Sequence, residues 1–224
     1  MMHHYFLYDK NVYFKRGIKS VINDLLAGEH DIECASSDNF TQLMDVLETN
    51  NQCAKKSWVL CDLDSLPADH FTVMNTLKEH YRQGQKTLVI LLNKHSMPFF
   101  FALHSLLPKA NWLLKSESIR CIKDFFINLL NAEHSGSCFS ETLAGYIREE
   151  LHNGNTDNII SSHELWLIEE IFKGKSLSQI SHEVSIDVRR LSYTKRNLMK
   201  KLKIENNIAL FNAFKVVMGP LPVQ

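Results

Sequence analysis

Apolar residues recur in two different rhythms along this chain. Through Leu130 the pattern alternates short continuous apolar runs with longer stretches at helical spacing. The runs are Tyr5-Phe6-Leu7-Tyr8, a weaker Asp31–Ala35, Trp58-Val59-Leu60-Cys61, Thr87–Leu92 and Trp112-Leu113-Leu114. Their length, and the absence of strict alternation, are those of strands covered on both faces. Between them, helices are predicted over Val12–Leu26, with Ile18, Val21, Ile22, Leu25 and Leu26 on one face and Gly28 as a stop. Further helices are expected over Phe40–Leu47, His70–Tyr81, Pro98–Leu107, opened by its proline, and Ile119–Leu130. Strand and helix alternate throughout, which predicts an α/β fold: a five-stranded, doubly wound parallel sheet.

Beyond Ala132 the strand rhythm disappears. Glu133–Ser137 is polar and turn-rich, Glu141–Leu151 aligns Leu143, Ile147 and Leu151, and His152–Asn158 reads as a flexible linker. The helix 141–151 is free to pack on either flanking domain or on a symmetry mate. Four more helices follow. Ser161 or Ser162 caps one that runs through Leu165, Ile168 and Phe172 to Gly174, and Ser176 caps a short one over Leu177–Val184. Asp187 caps a third, and a fourth covers about Asn207 to Val217. Helix, short turn, helix is the layout of a helix-turn-helix. The expected organisation is therefore residues 1–131, a linker 132–158 carrying one helix, and an all-α four-helix domain 159–224.

Composition narrows the classes little. With 224 residues, 45% hydrophobic and 22% charged, the chain reads as globular, and 25 basic residues balance 25 acidic ones. From Thr156 onward, however, 10 basic residues face 7 acidic ones, a local excess. The five cysteines lack C-x-x-C spacing, so neither a disulfide framework nor a zinc site is expected. His3 and His4 have no third ligand nearby, and no apolar run reaches the ~20 residues of a membrane span. A cytoplasmic protein without metal, cofactor or membrane partner is expected. Eight glycines, no phosphate-cradling loop and no nucleophile–base spacing argue against an enzyme. Phe99-Phe100-Phe101 reads as core, or as the lining of a small-molecule pocket.

The strongest chemical signal is the run Val188–Lys203. Leu191, Leu198 and Leu202 give it an apolar stripe, no acid interrupts it, and the remaining charges are all positive. Such a helix fits along a polyanion, here double-stranded DNA. Arg189, Ser192, Tyr193 and Arg196 share one face at i, i+3, i+4 and i+7 and are the base-edge candidates. Arg190, Lys195, Lys200, Lys201 and Lys203 flank it as phosphate-contact candidates.

Two resemblances add to this reading. Asp9, Asp62 and Lys115 stand at the ends of the first, third and fifth expected strands, and residues 4–131 resemble a response-regulator receiver domain. The resemblance implies an aspartyl phosphoacceptor at Asp62, a first magnesium acid at Asp9 and the pocket lysine at Lys115. The chain departs from the family where Lys10 replaces the second acid and where Leu92 or Asn93 replaces Ser/Thr. The interval from Asp62 to Pro67 is also one residue longer than the family's. A lysine in place of a cation ligand argues for a pseudo-receiver without phosphorylation control, in which Lys10 is free to pair with Asp62. Glu164, Gly174, Ile180-Ser181, Val184, Ile186, Leu191, Asn197, Leu198, Lys201 and Leu202 resemble the marks of LuxR-type DNA-binding domains, where the acid at Glu164 braces the fold. The stretch Leu202–Leu210 is similar to that of the Rcs-type capsule regulators. Arg190, Leu191 and Thr194 depart from common LuxR residues and leave the DNA preference open. The resemblance implies a transcription regulator acting as a homodimer or as a heterodimer with a related regulator. Alternatives are an accessory protein that works through heterodimerisation and a conventional phosphorylated regulator.

Overall fold

The computed structural model describes residues 3–26, 32–48, 56–67, 70–83, 86–131, 137–152 and 159–218. Gly28, Cys53, the turn at 133–136 and the linker 153–158 lie outside the described residues. Strands β1 (His3–Tyr8), β2 (Ile32–Ser37), β3 (Lys56–Asp62), β4 (Thr87–Leu92) and β5 (Asn111–Leu114) form one sheet in the order β2-β1-β3-β4-β5. Every pairing is parallel. The helices between them are α1 (Val12–Leu26), α2 (Phe40–Glu48), α3 (His70–Gln83), α4 (Phe100–Leu106) and α5 (Ile119–Asn131). The expected doubly wound sheet is thus the observed one.

Alternation within the strands divides the core into two layers, because successive side chains point to opposite faces. Tyr5, Leu7, Trp58, Leu60, Val89, Leu91 and Leu113 pack against Ile18, Ile22, Phe125 and Phe126 of α1 and α5. Phe6, Tyr8, Val59, Cys61, Leu88, Ile90, Leu92, Trp112 and Leu114 face α2, α3 and α4 on the other side. Phe99 and Phe100 are buried and Phe101 is half-buried, so the phenylalanine run is largely core.

Two details differ from the sequence expectation. The helix expected from Pro98 is preceded by a 3-10 segment, Lys94–Phe99, with Pro98 inside it and α4 starting only at Phe100. Proline's fixed φ and missing N–H suit the tight segment, whose start no longer coincides with the proline. The second detail lies beside β5. Trp112 N donates to Cys138 O at 2.8 Å, Ser140 N donates to Trp112 O at 3.0 Å, and Leu114 N donates to Ser140 Oγ at 3.0 Å. Phe139 bridges to Trp112, so residues 138–140 satisfy backbone groups that an edge strand would leave open. Helix α6 (Glu141–His152) continues from there and packs on β5, with Leu143 fully buried and Tyr146 against Phe101.

The C-terminal helices are α7 (Ser162–Phe172), α8 (Leu177–Val184), α9 (Val188–Lys201) and α10 (Asn207–Met218). Ser161, not Ser162, caps α7, in a reciprocal capping box with Glu164, and Ser176 forms the same box with Gln179 on α8. Ser185 adopts a left-handed φ of 54° to end α8, and Asp187 Oδ1 accepts from Arg189 N at 2.6 Å to begin α9. Among the described residues no helix is long and apolar enough to cross a membrane.

Candidate nucleic-acid interface and strand-end pocket

Helix α9 is fixed from two sides. Leu191 packs with Leu167 and Ile180 in a small core with Trp166, Ile171, Leu177 and Ile186. Two turns further on, Leu198 joins Phe172, Leu210 and Phe214. Both anchors lie on the same side of α9, so the opposite side faces out. Arg189, Arg190, Arg196 and Lys200 are exposed, Tyr193 is 61% exposed, and Ser192 and Lys195 are half-exposed. At 100° per residue, Arg189, Tyr193, Arg196 and Lys200 form a single outward stripe, with Ser192 on its shoulder. Lys200 thus continues the stripe assigned to the base-edge set.

The acids of this region are engaged elsewhere. Glu170 accepts from Lys173 at 2.7 Å and from Lys175 at 2.6 Å, and Lys175 also reaches Glu183 at 2.6 Å. Burial alone would raise the Glu170 pKa, but the two lysines outweigh it and hold it below its ordinary value. Among the described residues no ion pair takes Arg189, Arg190, Lys195, Arg196, Lys200 or Lys203.

Lys201 departs from the expected set. Its Nζ donates to Glu164 at 2.8 Å and to Ile159 O at 2.8 Å, and the pair is largely buried. Glu164 Oε2 also accepts from Ser161 N, so one carboxylate closes the α7 cap and ties down the C-terminal end of α9. Because this ammonium is spent internally, it does not belong with the outward phosphate candidates. Lys203 is exposed just past the helix, in a left-handed conformation with φ of 55°.

The three strand-end residues also meet. Lys115 Nζ lies 2.8 Å from Asp9 Oδ2 and 3.0 Å from Asp62 Oδ1, bridging β1, β3 and the end of β5. The remaining carboxylate oxygens are occupied too: Asn11 N donates to Asp9 Oδ1 at 2.7 Å, and Ser65 Oγ donates to Asp62 Oδ2. Burial raises the Asp9 pKa, with Asp62 adding to it and the Lys115 hydrogen bond opposing. Burial works against the Lys115 charge, but the two carboxylates prevail and raise its pKa. The Phe14 ring lies 4.6 Å below the ammonium.

Lys10 does not take the place expected of it. Its side chain is exposed, its backbone N donates to Ser65 Oγ at 2.8 Å, and the cation on Asp62 is Lys115. The residue after β4 is Asn93, which donates to Asp64 and not to the pocket. A divalent cation would need hard oxygen donors around it. With Lys10 in place of the second acid that the receiver resemblance implies, Asp9 and Asp62 are the carboxylates at this pocket, one donor short of that pattern.

RcsB from Salmonella enterica serovar Typhimurium bound to promoter rprA, with a phosphomimetic, superposes with a TM-score of 0.61 at 18% identity, covering 96% of this chain and 98% of that one. RcsB bound to promoter P1flhDC gives 0.59 at 17% identity over 95% and 98%. The chain has the RcsB fold. A structure of two RcsB dimers on two parallel DNAs gives 0.57 at 17% identity, covering 95% and 97%. No family model and no curated protein sequence matches the chain. The correspondence with RcsB spans both the sheet and the helical part, and at this identity it is a likeness of fold.

Replacing Lys115 by Met should leave Asp9 and Asp62 buried together without a cation and push the Asp9 pKa further up. The folded state then retains a proton that the unfolded chain releases above the ordinary value of 3.8, so stability falls as pH rises through the folded pKa. Urea unfolding from acid to neutral pH should show a steeper decline for Lys115→Met than for wild type.

Proposed function

We propose that this protein is a sequence-specific DNA-binding transcription regulator whose receiver-like part is not switched by phosphorylation. The observation that carries the reading is the outward stripe of α9: Arg189, Tyr193, Arg196 and Lys200, with no acid on the helix and, among the described residues, no ion pair to neutralise them. An exposed, unpaired cationic stripe costs self-repulsion that an ordinary solvated helix relieves with mixed charge; a phosphate backbone relieves it by counterion release. Arg189, Ser192, Tyr193 and Arg196 read base edges, and Arg190, Lys195, Lys200 and Lys203 hold phosphates. The solved RcsB structures are bound to promoters, which supports the same use of the fold here.

One recognition helix covers only a half-site, so the active species is a dimer, either of this chain or with a related regulator. The protein works in the cytoplasm at the nucleoid. Lys10 in place of an acid, and Asn93 turned toward Asp64 instead of into the pocket, support control by abundance, partner or ligand instead of phosphoryl transfer.

Arg196→Ala should weaken binding to the preferred site by about 1–3 kcal/mol and flatten preference at the base it contacts, whereas Lys200→Ala should weaken all sequences alike and reduce the salt slope by about 1. Fluorescence anisotropy on matched and mutated sites across a salt series separates the two; unchanged preference in Arg196→Ala would refute the base-contact assignment.

Incubation with a small-molecule phosphodonor and magnesium should leave the intact mass of the wild-type protein unchanged. A stoichiometric phosphoryl adduct that disappears in Asp62→Asn would overturn the account of control.

A further inference from the structure

The turn after β3, Leu63–Ser65, faces two ways. Ser65 points into the pocket, where its Oγ donates to Asp62 and accepts from Lys10 N, and its carbonyl accepts the Tyr8 hydroxyl at 2.7 Å. Asp64 points away, toward the 3-10 segment Lys94–Phe99. Its carboxylate accepts from Asn93 Nδ2, from Ser96 Oγ at 3.4 Å and pairs with His95 Nε2 at 3.0 Å. Three polar side chains at the start of one short segment therefore converge on a single carboxylate from another loop. Asp64 lies within the interval that is one residue longer than the receiver family's.

The other end of the same segment touches the helix-turn-helix part. Phe99 is buried and meets Phe214 of α10 edge-to-face, with ring centroids 5.4 Å apart. Phe214 is fully buried and also contacts Phe172 of α7 at 5.6 Å, and Phe172 stacks on Phe211 at 4.5 Å. From Ser96 to Phe99 the chain advances only about 6 Å at ~2 Å per residue of 3-10 helix. Pro98 fixes a backbone dihedral within that interval. A clasp at one end of so short and stiff a segment sets the position of the ring at the other.

We propose that Asp64 is a positioning residue: by holding Asn93, His95 and Ser96 it seats Phe99 against Phe214 and ties the strand-end pocket to the helix-turn-helix part. The path runs from Asp62 through Ser65 and Asp64 to Phe99, and then through Phe214 and Phe172 into the core on which α9 rests. No phosphoryl group is needed at any point along it. The rearrangement that matters is local, namely whether the 3-10 segment is clasped or released. This inference stands apart from the DNA-binding reading, since it concerns how the two parts of the chain are held together.

The test is amide hydrogen exchange by mass spectrometry on the full-length protein, comparing wild type with Asp64→Ala, Phe99→Leu and the double variant. Asp64→Ala should speed exchange in peptides of α10 roughly tenfold while peptides of β1, β3 and β4 stay protected. Phe99→Leu should do the same, and the double variant should exchange in α10 no faster than the faster single, because both act on one contact. Unchanged α10 exchange in Asp64→Ala, or single-variant effects that multiply in the double, would overturn the proposal. Should Asp64→Ala loosen the sheet itself, Asp64→Asn decides. It loses the pair with His95 but keeps an acceptor for Asn93, and it should accelerate α10 to a smaller extent with the sheet intact; no acceleration there counts against the proposal.

Discussion

Helix α7 is apolar or buried along nearly its whole length, and the placement of every other C-terminal element depends on that burial. A helix that hides only one stripe can be covered by one neighbour, whereas one hidden on several sides needs several. Leu165, Ile168 and Phe172 join the large core that extends from the sheet through α4, while Leu167 and the half-buried Ile171 belong to the small core of α8 and α9. The sheet and the helix-turn-helix are therefore not two bodies on a string. They share a hydrophobic core in which α7 is the common wall, and Glu164 at its N-terminal end ties down α9 through Lys201.

That arrangement determines which charges are available at the surface. Glu164, Glu170 and Glu183 are each taken by a lysine from the helix-turn-helix scaffold: Lys201, Lys173 and Lys175. Among the described residues the cations of the outward α9 stripe have no such partners, on a helix whose inner side is anchored by Leu191 and Leu198. At the far end of the sheet the opposite holds. Lys115 is enclosed by Asp9, Asp62 and Phe14, a nearly self-contained group in which one ammonium bridges two buried carboxylates. One protein thus carries a charge cluster that is internally satisfied and another that is not, and the second is where a polyanionic partner gains most.

Much of this was legible in the residues. Continuous apolar runs such as Thr87–Leu92 gave away a doubly covered parallel sheet, and the run Val188–Lys203 marked its own buried and outward sides. Asp9, Asp62 and Lys115 were placed at strand ends by the same pattern, and the fold brings them together. Individual cations were harder. Lys201 and Lys200 are neighbours of one chemical type, and 100° of helix rotation separates an internal ammonium from an outward one; only the position of Glu164 on another helix decides it. Lys10 and Lys115 pose the same problem, since the lysine nearer in sequence to Asp9 is not the one that reaches Asp62. The cover over β5 by residues 138–140 and the Asp64 clasp arise from contacts between segments far apart in the chain, for which local periodicity carries no signal.

The most direct measurement is selection of genomic DNA fragments by the purified full-length protein, without phosphodonor and at physiological salt, followed by sequencing. The account predicts enrichment of fragments that share a two-half-site sequence, lost when Arg189 and Arg196 are both replaced by alanine. Enrichment that shows no common sequence, or that survives the double replacement, would contradict it.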